Sequence, residues 1–136
     1  MTFRIAVAVR EDMMDALELA IDGGSGGATL EIRSGTQPAD ADTTATGTLL
    51  ATLTLNDPGG VQATGVITID VSPAITATAV ATATATWARL KDSAGATVLD
   101  GSVGTSGTDF IIDSTSITSG QTVALVAVST LTLPAA

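Results

Sequence analysis

The sequence predicts a mainly β protein: an antiparallel β-sandwich or barrel-like fold of about seven or eight strands with one N-terminal α-helix. Three observations support this prediction. Apolar and polar residues alternate over most of the chain, turn residues recur at short spacing, and only one stretch has a helical period. A chain of 136 residues is long enough for one core, so a single domain over residues 1–136 is expected.

The helical period lies in residues 11–22, EDMMDALELAID. Acidic residues stand at its beginning, where the helix dipole favours them, and Gly23-Gly24 is expected to end it. Apolar side chains at spacings of three and four would share the buried face. The residues predicted on that face are Met13, Leu17, Ala20 and Ile21.

Strands are predicted wherever the alternation continues between turn signals. The first of these segments, TFRIAVAV, reads as a short strand or an extended arm. The predicted strands are residues 2–9, 28–33, 48–55, 65–71, 76–89, 96–99, 108–112 and 121–133. The predicted loops and turns are residues 34–47, 56–60, 91–95 and 100–107.

The most regular stretch is TATAVATATATW, residues 76–87. A strand places its threonines on one face and its alanines on the other. Extended over residues 76–89, it would span about 45 Å, so part of it should contact a neighbour or bend at a bulge. An alanine face lets another backbone approach closely. With the N-terminal segment included, the predicted interface residues are Ala77, Ala79, Ala81, Ala83, Phe3 and Ile5.

Composition argues against several classes of function. The chain has a net charge of -9 and lacks His and Cys, which removes the usual transition-metal ligands, the commonest general base and thiol nucleophiles. The acidic balance disfavours nucleic-acid binding. Residues 71–88 lack charge but are rich in Thr and Ala rather than Leu and Ile, so no membrane span is predicted. The start of the chain has a single Arg before an apolar run of only five residues, so no signal peptide is predicted.

Two pairs of acidic residues were considered as sites. Asp40 and Asp42 in PADAD could hold Ca²⁺ with backbone oxygens, but no bidentate Glu follows at the right offset, so a solvated turn is favoured. Asp109 and Asp113 flank FII and would suit paired-acid hydrolysis, but turn bonding is favoured. We therefore predict no enzyme activity, no catalytic residues, no metal and no cofactor.

Trp87 stands beside Arg89 and Lys91 in WARLK. One interpretation is a stacking platform for a sugar or a partner; the favoured one is a buried Trp87, because it is the only Trp of the chain. Trp87 and Arg89 share strand parity, which allows the guanidinium to contact the ring. The stretch GSVGTSG, residues 101–107, lacks the context of a phosphate-binding loop.

Several motifs together resemble a family of small virion proteins of tailed bacteriophages. Members of that family have a helix, a GSG-type turn, a GTLLATLTL strand, a W-RL-D--G---LDGSVG hairpin and a final strand beginning with GQ. This chain carries GSGG, GTLLATLTL, WARLKDSAGATVLDGSVG and GQTVALVAV, and the likeness covers residues 28–55, 85–113 and 117–134. These motifs are structural rather than catalytic.

The resemblance implies a capsid decoration (cement) protein at the surface of the virion. Its partners would be the major capsid protein and itself, as a homotrimer, with neither nucleic acid nor membrane involved. Two alternatives stay open: a structural component of the tail or the head–tail junction, and a carbohydrate-binding adhesion module that uses Trp87.

Overall fold

The computed structural model describes residues 3–126 and 130–132. It is mainly β with one N-terminal helix, as the sequence predicts. The elements are α1 (Val7–Ile21), β1 (Thr29–Arg33), β2 (Leu49–Thr54), β3 (Gly60–Ala63), β4 (Val66–Ile69), β5 (Ile75–Thr78), β6 (Ala83–Thr84), β7 (Trp87–Lys91), β8 (Thr97–Gly104), β9 (Phe110–Ile111), β10 (Ser116–Ile117), β11 (Thr122–Leu125) and β12 (Thr130–Thr132).

The largest sheet has the strand order β2-β1-β7-β8-β9. Its pairings are antiparallel except for the short parallel pairing of β8 with β9. The alternation of β1 explains its central place, because Leu30 and Ile32 are fully buried on one face while Glu31 points to the other. Smaller sheets pair β11 with β5, β10 with β6, and β12 with β4 and β3.

Hydrogen bonds outside these sheets connect them into a curled, barrel-like arrangement. The Val126 N–H donates to the Ile111 carbonyl (2.9 Å), which joins the segments of β9 and β11. On the other side of the β11–β5 pair, the Val80 N–H donates to the Leu50 carbonyl in β2 (2.8 Å). The strands thus return toward the edge of the largest sheet, which reduces its unpaired edges.

The apolar side chains inside this arrangement form one cluster that draws on the helix and on all four sheets. Burial of such surface is the main stabilising contribution to a fold of this size. Its largest fully buried aliphatic and aromatic members are Ile21, Leu30, Ile32, Leu50, Leu53, Ile67, Ile69, Leu90, Phe110, Ile112 and Ile117.

The helix begins earlier than the sequence indicated. Residues 7–9, predicted as strand, are the first turn of α1, and residues 3–6 form no strand; Thr2, in the same prediction, lies outside the described residues. Alternating Ala and Val also suits a helix, since Ala has the highest helix propensity. The earlier start leaves no acidic residue in the first turn.

The buried face of α1 also differs from the predicted one. Met14 and Ile21 are buried and Leu17 is partly buried, whereas Met13 is 45% exposed and Ala20 is exposed. The helix packs on β3 and β4, and this contact selects the residues at spacings of three and seven from Met14. The turn at Gly24, with φ of +87°, ends the helix region as predicted.

The predicted single strand over residues 76–89 is wrong, because the chain bends there and forms β5, β6 and β7. Each part has a different partner: β5 pairs with β11, β6 with β10, and β7 with β1 and β8. Because its partners change, the segment stays within the fold. This agrees with the second of the two expectations for a long strand here, that it bends rather than extends to contact a neighbour.

Other differences concern short elements. The loop predicted at residues 100–107 is a strand up to Gly104, because β8 extends along β7. The strands β3 and β10 were not predicted. Within the predicted strand 121–133, β11 and β12 pair with different sheets; residues 127–129 and Leu133 lie outside the described residues.

Candidate functional site

Trp87 is buried, as predicted, with 1% of its surface exposed. By register it lies on the same face of the sheet as Arg89, opposite the face that Ala88 and Leu90 turn to the core. Its indole N–H donates to the Ser34 carbonyl (3.2 Å), at the start of the polar loop. The ring therefore has no free face on which a sugar could stack, and the platform interpretation of WARLK is wrong.

Arg89 is held in a buried, bidentate ion pair. Its Nε and Nη2 donate to the two carboxylate oxygens of Asp100 at 2.7 and 2.8 Å, and the two side chains are 5% and 4% exposed. The guanidinium carbon lies 5.6 Å from the centroid of the Trp87 ring, within the range of a cation–π contact. The hydrogen bonds with Asp100 raise the pKa of Arg89, so this group is a fixed structural cation.

Glu31 joins two further cations on the same face of the sheet. One carboxylate oxygen accepts from Arg33 (3.0 Å) and the other from Lys91 (3.1 Å). Burial acts to raise the pKa of Glu31, but the hydrogen bonds from Arg33 and Lys91 outweigh it and hold the pKa below its ordinary value. This network was not predicted; its signal in the sequence was the opposite charges of Glu31 and Arg33, two residues apart and so on the same face of β1.

Three of the four acidic residues in the candidate pairs accept hydrogen bonds within the fold, and one of these, Asp40, does so in a turn. Asp40 Oδ1 accepts from the N–H and the hydroxyl of Thr43, both at 2.8 Å, and these bonds lower the pKa of Asp40. Asp109 accepts from the N–H and hydroxyl of Ser102, and Asp113 from the Ala124 N–H. Within residues 3–126 and 130–132, no three acidic side chains are grouped in a way that could hold a metal ion.

The predicted alanine interface faces inward, which corrects the expectation that it is a free surface. Ala79 is 3% exposed in the core, and Ala77, Ala81 and Ala83 are partly buried and pack against the core. Small side chains are needed there because the strands lie over the apolar cluster. The outward face of the same segment is exposed and consists of Thr76, Thr78, Val80, Thr82, Thr84 and Thr86.

The other two predicted interface residues lie before the helix, in residues 3–6, which we call the pre-helix segment. Phe3 is 78% exposed and Ile5 is partly exposed. Exposed apolar side chains continue on the outer side of α1: Val7 at 51%, Val9 at 50% and Leu19 at 76%. Exposed apolar side chains at this end of the chain are candidate contact points for another protein.

A shallow apolar cavity of about 330 Å³ opens on the surface of the β3–β4 hairpin. Pro58, Val61, Ile69 and Val71 supply much of its lining, and the exposed Asp70 contributes a carboxylate. Sequence analysis missed this cavity because it depends on β3, which had not been predicted. Its mixture of apolar walls and one acidic group suits an apolar side chain with a neighbouring cation.

Comparisons of the chain with protein-family models, with curated proteins and with solved structures found no match. Within the described ranges, no helix has both the length and the apolar character that crossing a bilayer requires. The exposed side chains described above offer three candidate surfaces for binding: the threonine face of residues 76–86, the pre-helix segment with the outer side of α1, and the cavity beside Asp70.

Proposed function

We propose that this chain is a structural protein of a tailed-bacteriophage virion, and specifically a decoration (cement) protein of the capsid. In this role a homotrimer binds the outer surface of the head and bridges neighbouring major capsid subunits without any chemical reaction. The resemblance of residues 28–55, 85–113 and 117–134 to small phage virion proteins supports this assignment.

The observation that carries the proposal is the outward face of residues 76–86. Five threonines and one valine are exposed on it, with no charged side chain among them, although the chain as a whole has a net charge of -9. Another protein can cover such a face at low desolvation cost, because no charge is buried and hydroxyl groups form new hydrogen bonds across the interface.

The polar and aromatic side chains that were candidates for a site are engaged in contacts within the fold, which supports a binding role more than a hydrolytic one. Trp87, Arg89 and Asp100 are buried in contacts with one another and with the Ser34 carbonyl. Asp109 is engaged by Ser102. These groups hold the sheet and its loops in place, which is what a rigid docking module needs.

Stabilisation of a capsid by such a protein follows from mass action. A ligand that binds only the assembled shell stabilises it by about 2.7 kcal/mol per site at a free concentration one hundredfold above Kd. A clamp that spans two subunits therefore opposes the outward stress of a packed genome. The threonine face would contact the shell and leave the charged remainder toward solvent.

The first test is to quantify the chain against the major capsid protein in purified particles. A decoration protein is expected at a copy number comparable with that of the major capsid protein. A copy number that is a small fraction of it would contradict decoration and favour the tail or head–tail junction alternative. Absence from the particles would contradict a virion role altogether.

The second test adds the purified chain to particles that lack it and measures the temperature at which they release DNA. Thr78→Lys/Thr84→Lys places two charges on the threonine face and should abolish the stabilising effect. Thr44→Lys/Thr48→Lys is the matched control, since it makes the same charge change at exposed positions in and beside the polar loop. Equal binding by both double variants would contradict the role of the threonine face.

A further inference from the structure

The pre-helix segment combines exposed apolar groups with unpaired positive charge. Phe3 is 78% exposed and Arg4 beside it is exposed. Of the five basic residues in the chain, Arg33, Arg89 and Lys91 are in ion pairs. Within the described ranges Arg4 and Arg10 make none, so free positive charge is confined to this end of the molecule.

The rest of the molecule offers the opposite charge in excess. The chain has 14 acidic residues, and within the part that the structure describes only Glu31 and Asp100 are in ion pairs. A second copy of the chain is therefore the partner whose charge complements the pre-helix segment. Complementary charge of this kind directs association and fixes its register.

The cavity beside Asp70 is the place on a second copy that fits this segment best. Pro58, Val61 and Val71 give it apolar walls, and Val61 is 63% exposed. A phenylalanine side chain needs an apolar recess of this kind, and an arginine next to it in sequence needs a carboxylate at the rim. Asp70 supplies that carboxylate.

The pre-helix segment cannot reach the cavity of its own molecule while α1 is intact. Gly59, which stands in the chain between the cavity residues Pro58 and Gly60, lies at the far end of the helix, where its N–H donates to Asp22 (2.8 Å). From Val7 to Ile21 the helix rises about 21 Å, whereas the four residues before it extend at most about 13 Å. If Phe3 fills the cavity, it must therefore come from another molecule.

We propose that Phe3 of one copy inserts into the cavity of a second copy, and that Arg4 forms an ion pair with Asp70 there. This contact deepens, and rests on, the self-association that belongs to the proposed function. It joins two different surfaces, so it is heterologous and closes into a ring when the rotation between copies allows. A ring of three copies accommodates the proposed homotrimer.

The test is sedimentation velocity of the purified chain over a range of concentrations. The wild type should sediment as an oligomer, and Phe3→Ala, Arg4→Asp and Asp70→Arg should each weaken association at least about tenfold. The double variant Arg4→Asp/Asp70→Arg should restore it, because the ion pair is re-formed with exchanged signs. Asp42→Arg is the control for net charge, since this exposed residue lies in the polar loop.

A monomeric wild type at all concentrations would overturn the inference. The same holds if Asp42→Arg and Asp70→Arg have equal effects, or if the double variant stays dissociated. Far-UV circular dichroism verifies that each variant is folded, as expected for substitutions of exposed side chains.

Particle binding is measured separately, so that the two proposals fail independently. An oligomer that depends on Phe3 and Asp70 but does not bind particles would overturn the proposed function alone. A chain that binds particles as a monomer would overturn the contact of Phe3 with the cavity, and the homotrimer with it, but not the decoration role.

Discussion

At the scale of single residues, the buried pair of Arg89 and Asp100 is the most consequential interaction of the described sheet. Removing one partner leaves a buried charge without compensation. We expect Arg89→Met to lower the free energy of unfolding by about 3–5 kcal/mol, measured by urea denaturation with circular dichroism. Arg33→Met is the matched control: it should cost less than about 1 kcal/mol, because Glu31 keeps its bond to Lys91.

The combined variant Arg89→Met/Asp100→Leu separates the cost of an orphaned charge from the loss of the pair itself. Since it buries no charge, it should be more stable than Arg89→Met alone. If the double variant is as unstable as the single one, the buried pair does not act through uncompensated charge, and the loss of packing against Trp87 becomes the better explanation.

Glu31 makes the stability of the fold depend on pH, and its hydrogen bonds determine the direction of that dependence. The pKa of Glu31 in the folded chain lies below its ordinary value of 4.5, because the bonds from Arg33 and Lys91 outweigh the effect of burial. Its stabilising contribution is therefore complete above that ordinary value and is lost as the pH falls through the folded pKa.

We expect Glu31→Gln to lower the melting temperature at neutral pH and to make the acid-induced loss of stability shallower than in the wild type. Thermal denaturation from neutral pH to below 4.5 checks this. The exposed carboxylate of Asp42 provides the matched control, Asp42→Asn. A Glu31→Gln melting curve that falls as steeply as that of the wild type would contradict the assignment.

At the scale of the elements, residues 76–86 have an alanine face that packs against the core and a threonine face that is exposed. Ala79 is 3% exposed and its neighbour Thr78 is exposed. We expect Ala79→Lys to destabilise the fold by about 3 kcal/mol or more, because a charge enters the core. Thr78→Lys should change stability by no more than about 0.5 kcal/mol. Melting temperatures of the two variants test which face is inside.

Ala81→Lys/Ala83→Lys extends this test to two alanines that were predicted to form an interface. Both are partly buried against the core, so the isolated chain should lose stability rather than only its ability to assemble. If the double variant is fully stable but no longer assembles, the alanine face is an interface, as the sequence predicted.

The sequence predicts an element well when neighbouring residues determine it, and poorly when distant parts of the chain do. The alternation in TLEIR was sufficient to predict β1, and the glycines after α1 were sufficient to predict its end. Period two also predicted that residues 76–86 have a threonine face and an alanine face, but the alanine face was predicted to be an interface and it packs against the core instead. It could not predict where that segment changes partner strands, because β10, β11 and β1 are supplied by distant parts of the chain.

The candidate site shows the same division. Burial of Trp87 and its contact with Arg89 were predicted from residue type and parity. The pairing of Arg89 with Asp100 was not, because the prediction placed Asp100 in a loop rather than opposite Arg89 in β8. The cavity beside Asp70 escaped prediction because it forms only when β3 folds back on β4.

At the scale of the whole molecule, the helix and the four sheets that the structure describes contribute to one apolar core. The buried cluster includes Met14 and Ile21 from the helix, Ile69 from the hairpin that the helix covers, and Leu30 and Leu125 from strands far apart in sequence. Elements that share one core lose their packing together. This argues for a single cooperative unit over the residues that the structure describes; a single domain over residues 1–136 stays a prediction from length.

We therefore expect one unfolding transition in the Phe3→Ala variant, which should be monomeric and so free of the effects of dissociation. Trp87 fluorescence reports on the charged face of the largest sheet, and circular dichroism at the helical band reports on α1, so the two signals should change at the same temperature. Calorimetry should give an unfolding enthalpy of roughly 95 kcal/mol near 60 °C, equal to the van 't Hoff value. A helical signal that melts before Trp87 becomes exposed would show instead that α1 is a separate layer, whose contacts with β3 and β4 break without the barrel-like core.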